Sequence, residues 1–177
     1  MQMDPNALPR RFAAGCGCCL AASVIWPFPL ASRLLYAAGA AVLFATCAQA
    51  RELRPEFAAA RKHLAAFGLL MGLGAFLPAG QVARLLALGG AVFGYFAMTL
   101  LCAGCKALRD GRKPGERQTE MPPVVGQFEL CAGAFALCQI AALCAPGLQA
   151  IADWAAMACF TLGFGLLLRH FAHRNEP

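Results

Sequence analysis

Charged side chains are scarce in this sequence. They make up 14% of its 177 residues, and only nine are acidic. A soluble domain usually carries about 25% charged residues, because a folded surface has to be wetted. The shortage excludes a water-bathed globule and leaves lipid as the solvent for most of the chain. At this length, no sizeable soluble domain fits beside the apolar segments. Catalytic signatures are missing as well: no HExxH, GxSxG, phosphate-binding glycine loop or Rossmann fingerprint occurs,. No pair of acids sits at a depth suited to intramembrane proteolysis. The chain is therefore expected not to be an enzyme and to carry no cofactor.

What is present is apolar. Hydrophobic residues make up 60% of the chain, and its mean hydropathy is +0.60. The net charge of +6 raises nucleic acid as a partner, but that needs a basic face on a folded domain. Here the basic residues fall between apolar runs instead, so nucleic acid is excluded and a bilayer is the expected partner. Arginine outnumbers lysine twelve to three, a bias that a GC-rich genome would produce unaided.

A hydrocarbon core about 30 Å thick takes roughly 20 apolar residues per helix. Six windows qualify: 12–30, 34–50, 64–82, 85–105, 124–145 and 150–168. Lys and Arg collect in cytoplasmic loops. Two, four, five and two of the fifteen basic residues lie before the first window, in the second connector, in the fourth connector and in the tail. The opposite turns hold only Arg33 and Arg84. The sequence thus predicts an all-α integral membrane protein with six transmembrane helices and both termini cytoplasmic, in a bacterial inner membrane. A cleaved signal in place of the first span would leave five crossings. Helix three is expected to start at Pro55, with Glu56 suiting the helix dipole. Residues 106–123 read as a flexible cytoplasmic loop and the best contact for a partner.

The outer turns "WPFPLASRLL", "LPAGQVARLL" and "APGLQAIADW" align on Pro27, Pro78 and Pro146. Arg33 and Arg84 then share a position, as do Gln81 and Gln149. Helix ends "CAQARELR" and "CAGCKALR" also match. The pattern predicts three tandem helical hairpins, over about 12–50, 55–105 and 124–168. Gly68-x-x-x-Gly72 and Gly90-x-x-x-Gly94 are candidate close helix contacts,.

Ten cysteines punctuate the spans. The apolar setting excludes a disulfide-stapled secreted domain. A lipoprotein signal is excluded too, since no hydrophobic region precedes Cys16. Cys102-x-x-Cys105 puts two thiols on one helical face, and thiolates ligate soft ions such as Cu(I) and Zn(II). The Cys18-Cys19 doublet resembles the cysteine pair of bacterial mercury-transport membrane proteins, which implies soft-metal handling. Cys16, Cys18, Cys19, Cys102 and Cys105 are therefore the candidate metal ligands. Against this stands simple packing, since free cysteine behaves as a small, buried hydrophobe.

Ionisable residues inside a span are costly and mark function by default. Only Glu129 and Asp153 qualify, and either Arg33 or Arg84 is placed to pair with Asp153. Gln139 is the one amide near mid-membrane. With Glu129 and Gln127 it makes helix five the candidate substrate path. The expected function is a non-enzymatic accessory or structural membrane component, alone as an oligomer or within a larger complex. The alternatives are a small transporter or channel, and a thiol-dependent metal or redox protein.

Overall fold

The computed structural model describes residues 7–78, 80–112 and 121–172. Among the described residues the chain forms six α-helices: α1 (Leu8–Val24), α2 (Pro29–Ala50), α3 (Pro55–Ala75), α4 (Gln81–Arg109), α5 (Pro123–Cys144) and α6 (Gln149–Ala172). A 3-10 turn, Pro146–Leu148, leads into α6. Much of the polar loop expected between α4 and α5, residues 113–120, lies outside the described residues.

Proline sets several of these starts. It occupies the first or second helical position of α1, α2, α3 and α5, where its missing N–H has no helical partner to lose. Helix α3 begins at Pro55 with Glu56 in its first turn, as the sequence predicts. The first apolar run breaks earlier than expected. Helix α1 stops at Val24, because Pro27 and Pro29 disfavour helical backbone in the residue before each. At its far end α4 closes with a glycine cap. Gly111 takes a φ of 62°, its N–H bonds to the Leu108 carbonyl, and the Arg112 N–H reaches back to Ala107,.

Four helices, α2, α4, α5 and α6, are long and apolar enough to cross a membrane. The other two differ for local reasons. Helix α1 has 17 residues, and α3 carries Arg61, Lys62 and His63 within its first three turns.

Each helix packs against its chain neighbour, and α6 returns to α1, so the six close into a ring. Neighbours run antiparallel, as pairs along three of the seams show. Gly15 meets Leu43 and Gly39 meets Cys19 between α1 and α2. Gly94 meets Phe67 and Gly104 meets Phe57 between α4 and α3. Phe12 lies 5.7 Å from Phe171, and Trp26 lies 4.9 Å from Trp154, between α1 and α6. The connections after α1, α3 and α5 therefore share one end, the turn end. The α2–α3 connection and the last turns of α4 and α6 share the other, the basic end. There Arg54 is 2% exposed and donates to the Arg112 carbonyl at 2.7 Å.

The ring is filled by aromatic rings and sealed by small residues. Tyr36 of α2 lies 6.2 Å from Phe67 of α3 and 5.8 Å from Phe160 of α6, and Phe135 of α5 lies 4.2 Å from Phe160. Of the expected glycine pairs, Gly90 and Gly94 do pack on α3: an added Cβ would stand 2.9 Å from Met71 and 3.3 Å from Phe67. A Cβ on Gly68 would meet Ala40 at 3.1 Å, while one on Gly72 would meet nothing within 4 Å. The tightest seam involves no such pair. A Cβ on Gly39 would lie 2.7 Å from the Cys19 Sγ and 2.9 Å from the backbone oxygen of Gly15.

A backbone oxygen cannot swing aside as a side chain can. Gly39→Ala should therefore cost about 1–3 kcal/mol through overpacking, while Gly72→Ala should stay within about 0.5 kcal/mol of the parent. Unfolding of both variants in detergent checks this, and equal stabilities would contradict the seam.

Candidate functional site

A cavity of about 320 Å³ lies among the helices at the turn end. Its walls are largely apolar, with Trp26, Met71, Phe135, Met157 and Phe160 among them. Three charged residues also line it: Arg33, Arg84 and Asp153.

Arg84 lies in the first turns of α4 and reaches two other helices. Its Nη1 and Nη2 donate to the Asp153 carboxylate of α6 at 2.6 and 2.8 Å, a two-pronged ion pair. Nη1 also lies 3.4 Å from the Gln139 Oε1 of α5. With its amide oxygen turned towards Arg84, Gln149 accepts from Nε at 3.2 Å. One guanidinium thus ties α4, α5 and α6 together. The planar fork suits this task, because it can satisfy a carboxylate on one edge and amides on the other. The sequence expectation that an arginine meets Asp153 holds, and the arginine is Arg84.

Arg33 does something different. It donates to the Gly74 carbonyl in the last turn of α3, which also accepts from the Leu77 N–H at 3.3 Å and lies at a helix end where cations are favoured. Among the described residues, no carboxylate forms an ion pair with it. One turn further along α2, the Tyr36 side chain lines the same cavity and is 4% exposed. Its hydroxyl makes no hydrogen bond. Ser23 lies near; its hydroxyl donates to the Leu20 carbonyl and accepts from Thr161, which leaves its oxygen one further lone pair. Ser32, also on the cavity wall, is spent on the Ala22 carbonyl at 2.8 Å.

The three candidate path residues separate in space. Gln139 is buried and lines the cavity. Gln127 is exposed on the outside of α5. Glu129 is exposed too, and lines a groove between α4 and α5 beside Tyr95 and Phe96. A helix turns about 100° per residue, so polar residues on one helix need not face one space. The sequence reading of the path missed Arg33, Arg84 and Tyr36. The signal was the Arg-Leu-Leu triplet placed twice at one distance from a proline, which read as a repeat marker rather than a lining.

Of the thiols, Cys47, Cys102 and Cys105 lie towards the basic end, Cys16 stands midway along α1, and Cys18 and Cys19 lie beyond it towards the turn end. Cys16, Cys19, Cys102 and Cys105 are buried, and Cys18 is half-buried. Cys105 lies near both Cys16 and Cys47. Among the described residues, no group of three or more His, Cys, Asp or Glu is arranged to hold a metal ion. Cys19 instead fills the space beside Gly39, as a small apolar side chain does.

Comparison with protein-family models, curated proteins and solved structures gave no significant match to this chain.

Removing one partner of the Arg84–Asp153 pair strands a charge that is 13% exposed on the arginine and 27% on the aspartate. Asp153→Asn and Arg84→Gln should each cost about 1.5–3 kcal/mol, the scale of a charged hydrogen bond. The double variant should lose clearly less than their sum. Unfolding of the four proteins gives the coupling, and additive losses would mean that the pair is not made.

Proposed function

We propose that this chain is a non-enzymatic membrane protein of the bacterial cytoplasmic membrane, with six crossings, three hairpins and cytoplasmic termini, and that it handles a small solute through the turn-end cavity. The observation that carries the solute reading is the Arg84–Asp153 pair on the cavity wall. Charges are rare within apolar bundles and concentrate on solute pathways. A purely structural core would be cheaper to build from apolar residues alone. This favours the small transporter over the accessory component that composition alone suggested.

Six crossings are supported by the antiparallel ring, in which Arg11, Arg54, Arg109 and Arg169 come to one end. Helices α1 and α3 are short of apolar length by composition, but both are buried along one side by their neighbours. The soft-metal reading has less support, since among the described residues no group of three or more His, Cys, Asp or Glu is arranged to hold an ion. An accessory role keeps one observation in its favour: Gln127 and Glu129 are polar yet exposed on an apolar helix, where a partner helix or a second copy would cover them. Mass measurement in detergent tests that reading.

Two experiments follow. Cys144 is exposed at the turn end of α5, so a membrane-impermeant maleimide added to intact cells should label the protein, and Cys144→Ser should abolish the label. Labelling that requires permeabilised cells would invert the topology. For function, liposomes containing the protein should release at least one of chloride, potassium, mannitol or benzenesulfonate faster than protein-free vesicles. Asp153→Asn should slow that release. Equal leakage of all four with and without protein would overturn the transporter reading.

A further inference from the structure

The cavity is not charge-neutral. Arg33, Arg84 and Asp153 are the charged residues on its wall, and Arg84 with Asp153 cancel as a two-pronged pair. One positive charge, Arg33, is left over. It already gives one N–H to the Gly74 carbonyl, but a guanidinium has five donors. Three positions along the same helix, Tyr36 offers a second donor, a buried hydroxyl that makes no hydrogen bond and has the Ser23 oxygen as a neighbour. Residues three apart share a helix face, and both side chains line the cavity.

The opposite walls set the rest of the ligand. Trp26, Met71, Phe135 and Phe160 leave room for an apolar body. A volume of about 320 Å³ falls at the small end of ligand sites, which run from about 300 to 1,000 Å³.

We propose that the cavity binds a small organic monoanion, a carboxylate on an aromatic-sized apolar body, with Arg33 as its counter-ion and Tyr36 as its second hydrogen-bond donor. The carboxylate would lie against α2, and its apolar part against the aromatic wall. This deepens the solute reading above and rests on it for the choice of site. The ion pair of Arg84 with Asp153 then has a role distinct from binding. It neutralises one guanidinium, so that the cavity attracts one negative charge and not two.

The chain itself carries the probe. Its only two tryptophans are Trp26 and Trp154. Trp26 lines the cavity, and Trp154 stands edge-on to it at 4.9 Å. Intrinsic fluorescence of the detergent-purified protein can therefore be titrated with three near-isosteric ligands: benzoate, neutral benzamide and cationic benzamidine. Benzoate should give a saturable change, with the other two and inorganic phosphate at least about tenfold weaker, the scale of one charged hydrogen bond. Arg33→Gln should weaken benzoate by about tenfold or more.

Tyr36→Phe separates binding from structure. It should weaken benzoate several-fold while leaving the thermal midpoint of the empty protein unchanged or higher, since it removes an unsatisfied hydroxyl. Benzoate binding no tighter than benzamide or benzamidine overturns the proposal. So does phosphate binding as tightly as benzoate, or an unchanged benzoate affinity in Tyr36→Phe. Release of potassium or mannitol from liposomes without a benzoate response would sink this assignment and leave the transporter reading standing. Saturable benzoate binding without release of any solute would do the reverse.

Discussion

A polar group inside an apolar bundle has to find its partner within the protein. Water is not there to supply one, and an unpaired group costs several kcal/mol in such surroundings (about 2–7 for a neutral one). Most of this structure can be read as an answer to that constraint. Helical backbone pairs itself. The Ser32 hydroxyl returns to the Ala22 carbonyl, and Thr46 bonds back to Val42 one turn earlier. Arg33 satisfies a carbonyl at the end of α3. Arg84 goes further, because its two-pronged bond to Asp153 joins groups 69 residues apart and gathers three helices around one cation. Tyr36 and Thr99 are exceptions, and the first of them stands on the wall of the cavity.

The same surroundings change what holds the helices together. Between apolar helices in lipid there is little hydrophobic driving force left to gain, so close packing and internal hydrogen bonds carry the association. The seam of Gly15 and Gly39 lets two backbones approach within reach of one another, and aromatic rings fill the space the helices leave. Cysteine suits this architecture as a residue slightly larger than alanine. Cys19 beside Gly39 is the clearest instance.

The two ends of the bundle differ in kind. The basic end is tied down by backbone-directed contacts, with buried Arg54 bonded to the carbonyl of Arg112 just past the glycine cap of α4. The turn end holds both tryptophans, the cavity and all three charges that line it. Both ends are cross-linked all the same, by Arg54 at the basic end and by Arg84 with Asp153 at the turn end.

Composition and hydropathy alone determined that the chain is helical and apolar, and roughly where its helices would fall, although α1 and α3 end at Val24 and Ala75, short of the expected 30 and 82. Hydropathy sums over adjacent residues, and proline acts on its immediate neighbours, so both are legible along a line. Pro55 marked the start of α3 for that reason, and the paired prolines before α2 allowed the first apolar run to be misjudged only in length. The close approach at Gly39, the grouping of Arg33 with Tyr36, and the separation of Gln139 from Gln127 and Glu129 were decided by tertiary structure. Each depends on which helix faces which and at what rotation. The choice between Arg33 and Arg84 as the partner of Asp153 is the plainest case: both arginines have the same local sequence, and only the placement of α6 beside α4 and α5 distinguishes them.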